Sequence, residues 1–459
     1  LRRKVLRQLS AIAVLTVRSA SRTRMFQYVL GFAILAAITL PLLIRGDGSV
    51  ESNIRISIEY TLRLVTFILA IASMWAAAGT TSLEIDSKQI HLIVTKPVTP
   101  LQIWLGKWLG LIAVNAALLL LTGICIATML RWHLRQSRLS PEQWRAISEE
   151  VMTAREPVLP SLPGLEQKIQ ERANEIEAGI TPGALSRESL VENARRDVIR
   201  SENTVQPGAS QRWVFPYKHG GGRGGQMSIR YMFSSPRQLD LQPLAVRWIV
   251  RDSTGATAGS HDAQVFAGQP HSFEVSPGGE TDVLTAEFFN AQTNPPSTVV
   301  FARDMGVTLL LPGGSFEGNL ARALIMIFCK LAVLTALGLT IGSCFSMPVA
   351  VFAAFAIIAA FNLTALIAST DIGEEVSRRS LAPTHGFIDR VVALKFKAAD
   401  ALFAPIRRYD PVPRLQRSEL VPWPLVAQAF LLEVLLYPSI LGLCGVLILK
   451  HRQFGLPSG

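Results

Sequence analysis

Runs of about 20 apolar residues, the length that crosses a ~30 Å hydrocarbon layer, recur six times along the chain. The first, Phe26–Ile44 (FQYVLGFAILAAITLPLLI), holds no charge. The second, Ile58–Ala78, is charged only near its start, at Glu59 and Arg63. The third, Ile103–Leu130, carries Lys107 one turn inside, and the fourth, Leu320–Cys344, contains Lys330. The fifth, Met347–Ala368, is uncharged, and the sixth, Val421–Leu449, contains Glu433. The pattern predicts a polytopic α-helical membrane protein with six transmembrane helices. The first run is too long for a signal-peptide core and lacks a small-residue cleavage pattern, so it is expected to remain as a span.

The periodicity changes between the third and fourth spans. From Ser140 to about Asn203 the chain is polar and reads as helical, with Ser140-Pro141-Glu142-Gln143 as a helix start. Proline and glycine breaks divide this half into three short helices. From Gln211 the period becomes two. Met227–Phe233, Leu244–Val250, His271–Val275, Val283–Phe289, Thr298–Phe301 and Val307–Leu311 are short apolar runs separated by turn clusters such as Asp252-Ser-Thr-Gly255. That spacing predicts an antiparallel β-sandwich over 210–313, following a helical part over 137–205. Residues 133–319 are thus an inserted domain of α plus β-sandwich character. The tract His219–Gly225 is glycine-rich but lacks the lysine of a phosphate loop. After the fifth span, 369–420 includes an amphipathic stretch, Ile388–Phe403, in which nothing looks chemical.

Composition sharpens this picture. The 459 residues are 49% hydrophobic and only 17% charged, against about 25% in soluble domains. The net charge of +11 invites a nucleic-acid reading until its location is considered. Residues 133–319 carry 18 basic and 21 acidic side chains, so the excess belongs to the membrane-flanking parts, where it meets anionic lipid. Nucleic acid is therefore not an expected partner. Residues 1–24 hold Arg2, Arg3, Lys4, Arg7, Arg18, Arg22 and Arg24, with no acid before Asp47. This places the N-terminus in the cytoplasm of a cell-membrane protein; six spans return the C-terminus to the same side and put 133–319 and 369–420 outside. Apolar residues alternate with the N-terminal basic ones at helical spacing, the pattern of a helix lying in the membrane interface. All four cysteines fall inside spans, so no disulfide framework is expected.

Candidate chemistry is sparse. The only Gly-Lys pair, Gly106-Lys107, is followed by Trp108 and has Leu101 where a nucleotide loop needs glycine. No zinc-helix, Cys-x-x-Cys or nucleophile-elbow motif occurs, and no catalytic residue, metal or cofactor is read from the chain. Lys330 and Glu433 each lie ~15–18 Å along their helices from the outer side. An isolated charge at that depth costs at least about 2.5 kcal/mol, so the two are expected to pair across the fourth and sixth helices.

The loop between the second and third spans is the informative stretch. It starts acidic at Glu84 and Asp86 and continues through Lys88. It carries an apolar stripe at Ile90, Ile93 and Val94, breaks at Lys96-Pro97-Val98, and re-enters the membrane at Leu105-Gly106-Lys107. A short amphipathic helix across the membrane face can dock in a groove on a cytoplasmic partner. This stretch, with residues 9–24, resembles the coupling region and interfacial helix of type-2 ABC exporter permeases. Pro100 stands where that family often has a basic residue, and the insert is far larger than the family's minimal loop. The resemblance implies a permease that pairs with a separate ATPase subunit, two of each per transporter, the second permease being an identical copy or a paralogue. It places Glu84, Lys96 and Pro97 in the coupling element, with Gly106 and Lys107 starting the third span, where Lys107 reaches headgroups or the partner. The sandwich is expected to bind a glycan, a lipid or a protein outside. Two rivals stay open: a membrane-anchored sensor or adhesion receptor with no ATPase, and an intramembrane enzyme.

Overall fold

The computed structural model describes residues 2–22, 24–43, 50–86, 98–136, 153–162, 164–179, 187–217, 227–235, 242–277, 282–292, 296–302, 306–368 and 407–451. The chain divides into two compact units: Leu1–Met152 with Ser315–Gly459, and Thr153–Gly314.

The first unit is helical. Its elements are α1 (Arg2–Arg22), α2 (Arg24–Leu43), α3 (Val50–Asp86) and α4 (Pro100–Gln136), followed after the second unit by α7 (Phe316–Cys344) and α8 (Met347–Ala368). Short α9 (Val412–Gln416) and α10 (Trp423–Ala429) lead into a π-helix, Phe430–Leu436, and α11 (Tyr437–His451). Among the described residues, four helices are long and apolar enough to cross a membrane: Ile54–Glu84, Pro100–Trp132, Phe316–Cys344 and Trp423–Lys450. The segments 3–22 and 27–40 meet at 67° and would make a fifth if they form one span; Met347–Leu363 is a shorter apolar helix. α3 runs well beyond the apolar stretch Ile58–Ala78, because the polar residues flanking it continue the helix.

Small residues set how these helices meet, since close backbone approach replaces the hydrophobic drive that lipid removes. α7 presents Gly338 and Gly342 to α3. A Cβ at Gly338 would lie 2.7 Å from Met74 O, and one at Gly342 would strike the Ala78 backbone. α1 lies on α4 through Gly106 and Gly110, where added Cβ atoms would come within 2.8 Å of Ile12 and 2.7 Å of Thr16. A buried polar chain links α3, α4 and α7: Ser73 Oγ donates to Asn115 Oδ1 (2.9 Å), and Asn115 Nδ2 donates to Thr335 Oγ1 (3.2 Å).

The second unit is a sheet domain preceded by helices. Strand β1 (Thr153–Val158) comes first, then α5 (Leu165–Ala178) and α6 (Arg187–Glu202), then β2 (Thr204–Val205) and β3 (Ser210–Pro216). There follow β4 (Met227–Tyr231), β5 (Phe233–Ser234), β6 (Leu244–Asp252), β7 (Thr257–Val265) and β8 (His271–Val275). The last are β9 (Val283–Asn290), β10 (Val299–Phe301) and β11 (Val307–Ser315). Two four-stranded sheets, β1-β11-β4-β8 and β3-β9-β6-β7, share one core, with β2-β10-β5 as a smaller third sheet. The period-two pattern is obeyed on β6, where Leu244, Val246, Trp248 and Val250 are all buried, and on β9, where Leu284, Ala286 and Phe288 are. Trp248 and Trp213 (5.6 Å between ring centroids), with Phe288, Phe301 and Tyr231 around them, fill the centre.

The helical reading of 137–205 needs one correction. Thr153–Val158 is a strand, held in place by its neighbour β11. Two helices do follow it, α5 and α6. The helix start at Ser140, the glycine tract at 219–225 and the amphipathic stretch 388–403 lie outside the described residues.

Candidate functional site

The loop singled out by sequence is framed by the end of α3 and the start of α4. Glu84 and Lys107, 23 positions apart, are brought together there: Lys107 Nζ donates to Glu84 Oε2 at 2.7 Å and to the Thr80 carbonyl at 3.1 Å. The Lys107 side chain is 5% exposed and that of Glu84 28%. Lys107 therefore does not reach outward to headgroups as expected. Its ammonium turns inward to α3, bonded to Glu84 and the Thr80 carbonyl. Asp86 is the last residue of α3; Lys88, Ile90, Lys96 and Pro97 lie outside the described residues.

α4 begins with a reciprocal cap. Thr99 N donates to Gln102 Oε1 (2.9 Å) and Gln102 N to Thr99 Oγ1 (3.3 Å), with Pro100 at the first helical position. Thr-Pro-Leu-Gln is the capping-box pattern, a signal available in the sequence but not used above. One turn on, Trp104 and Trp108 stack at 6.3 Å, and Trp108 Nε1 donates to Ala332 O of α7 (3.0 Å). Trp104 packs into the surface left by Gly442 and Gly445 of α11. Through the two tryptophans, the start of α4 is fixed to α7 and α11.

The second predicted cluster is arranged differently from expectation. Lys330 and Glu433 form no hydrogen bond or ion pair with each other among the described residues. Lys330 Nζ instead faces Asp410 Oδ1 at 3.9 Å and sits 5.6 Å from the centre of the Phe361 ring. Asp410 belongs to the segment 369–420 that carried no chemical signal. The end of that segment is tied to α7 by Asn319, which accepts from Val421 N (2.8 Å) and donates to Glu419 O (2.8 Å). Glu433 is fully buried on the π-helix, and neither carboxylate oxygen has a hydrogen-bond partner. Beside Lys330 a cavity of about 650 Å³ opens between α3, α7 and α8.

In the sheet domain, His261 stacks on Phe273 (4.9 Å, 1° between planes), and His271 bonds the Phe266 carbonyl at 2.9 Å. Burial lowers the His261 pKa from its ordinary value, the neighbouring His271 lowers it further, and Asp262 opposes both. Among the described residues no three His, Cys, Asp or Glu side chains are grouped as a metal site would need. Comparison with protein-family models, with curated proteins and with solved structures finds no match to this chain.

Proposed function

We propose that this chain is the membrane permease subunit of an ABC-type exporter, passing the stroke of a separate cytoplasmic ATPase through the loop between α3 and α4. The observation that carries the reading is the Glu84–Lys107 pair, whose ammonium is buried and seated on the Thr80 carbonyl at the base of that loop. A buried ammonium is costly to strand, so Lys107 resists being drawn away from Glu84. Motion imposed on the loop then moves the ends of α3 and α4 together rather than bending the loop alone. The tryptophan contacts of α4 with α7 and α11 carry that motion onward. In this reading the chain crosses the cell membrane six times, with both termini cytoplasmic and the sheet domain outside, where it binds a glycan, lipid or protein. A functional transporter contains two permeases, identical or paralogous, and two ATPases.

The test is purification of the tagged full-length protein, in mild detergent, from cells of its native source. Recovery of a P-loop ATPase, lost on replacing Lys96-Pro97 with Ala-Ala while expression is unchanged, supports the coupling role. Recovery of the protein without such an ATPase, or with one bound regardless of the Lys96-Pro97 change, removes it and leaves the anchored-receptor reading.

A further inference from the structure

The cavity beside Lys330 is polar at one pole and apolar at the other. α3 and α7 run in the same direction where they touch, since Gly338 meets Met74 and Gly342 meets Ala78. Thr66 of α3 is therefore level with Lys330 of α7, Arg63 lies about one turn and Tyr60 nearly two turns to the other side, and Arg407 and Asp410 also line the cavity there. Ala70 lies one turn beyond Thr66 on α3, and Val333 and Leu337 one and two turns beyond Lys330 on α7. With Ile357 and Ile358 of α8, they form a purely apolar slot extending ~10 Å past Lys330 at 1.5 Å per residue.

Lys330 is the unusual member. It is 9% exposed, yet its ammonium makes no hydrogen bond among the described residues, and Asp410 at 3.9 Å lies beyond hydrogen-bond reach. A buried ammonium with unfilled donors is costly unless an acceptor completes it. The cavity onto which it faces can admit that acceptor. Three cations and one carboxylate line the wall, and Glu59 holds Arg63 at 2.8 Å. The volume falls within the ~300–1,000 Å³ of small-molecule sites, and Tyr60 and Phe67 are exposed on its α3 side. We infer that the cavity binds a single-chain amphiphile with an oxyanion head, the head completing the hydrogen bonds of Lys330 and the tail lying along the Val333–Leu337 slot. Lipid phosphate and fatty-acid carboxylate share this chemistry. The inference does not depend on ATPase coupling.

Two photoreactive probes test it on the purified full-length protein: palmitate and a palmitoyl lysophosphatidic acid, each with a diazirine on the tail. The expected result is saturable labelling of peptides from α7 and α8, competed by the unlabelled acid but at least about tenfold less well by hexadecanol, which has the tail without the charge. Labelling by the phosphate probe alone assigns a lipid phosphate, and labelling by palmitate alone a carboxylate. Lys330→Ala should weaken labelling by about tenfold or more, the value of one charge-assisted hydrogen bond, while Lys330→Arg retains it. If Lys330→Ala does not fold, Leu337→Trp, which fills the slot and leaves every charge in place, should abolish labelling. Unsaturable labelling, labelling confined to other helices, equal competition by hexadecanol, or labelling that survives Leu337→Trp would each overturn the inference.

Discussion

The Glu84–Lys107 pair makes an asymmetric prediction. Lys107 is nearly sealed, so replacing Glu84 with Met leaves an ammonium whose remaining acceptor is the Thr80 carbonyl at 3.1 Å. Stranding a buried charge in this way costs about 3–5 kcal/mol. Replacing Lys107 with Met strands a carboxylate instead, but Glu84 is 28% exposed and can turn to water. That loss should be near 1 kcal/mol, the value of a solvated pair. The double replacement removes both charges from a site already flanked by Trp104 and Trp108, and should recover most of the Glu84→Met loss. Thermal unfolding of the full-length protein in mild detergent, at roughly 2–4 °C per kcal/mol, separates the three variants. Glu84→Met should fall roughly 6–20 °C, Lys107→Met a few degrees, and the double variant little more than Lys107→Met. Equal losses in the two single variants, or a double variant showing their sum, would falsify the claim that Lys107 is the sealed partner.

Gly110→Leu should push α1 off α4, since even a Cβ there comes within 2.7 Å of Ala13 O and Thr16 Cβ. The expected cost is about 1–3 kcal/mol, read as faster tryptic cleavage at Arg18. Asn319→Ala should orphan Glu419 O and Val421 N at about 1–3 kcal/mol per group, seen as faster amide exchange at Val421. Because the His261 pKa is lowered in the folded protein, its contribution is fully present above the unfolded value of ~6.5 and is lost as pH falls through the folded value. The melting temperature of the sheet domain within the full chain should therefore drop between pH 7.5 and 5.5. His261→Phe, which keeps a ring on Phe273, should flatten that drop.

The elements that could be read from sequence are those where one physical rule acts alone. Apolar runs long enough for a bilayer are helices in the structure, and Met347–Ala368 has the expected bounds. The alternating runs that became β6 and β9 show their buried face directly. β1 and β7 escaped notice because neither is strongly apolar. β1 contains Arg155, Glu156 and Pro157 and exists through pairing with a partner about 150 residues away; β7 (TAGSHDAQV) lies at a sheet edge, where polar residues are tolerated. The two charges within apolar helices were visible, but their surroundings were not. Depth along a helix follows from counting residues, whereas Asp410 reaches Lys330 from a segment about 80 residues further along the chain, a meeting no periodicity encodes. The π-helix that carries Glu433 has no counterpart in a 3.6-residue pattern, so nothing in the periodicity marked its altered facing.

The meeting of Gly338 and Gly342 with Met74 and Ala78 has a consequence for biogenesis. These two strips of backbone fit without intervening side chains, yet they are separated in synthesis by the whole of Thr153–Gly314. At ~5–20 residues per second, the ribosome needs roughly 10–30 s to make that stretch. Throughout that interval α3 waits with its complementary surface unfilled. The nascent first half is thus an unfinished socket, holding apolar surface that only the second half can fill.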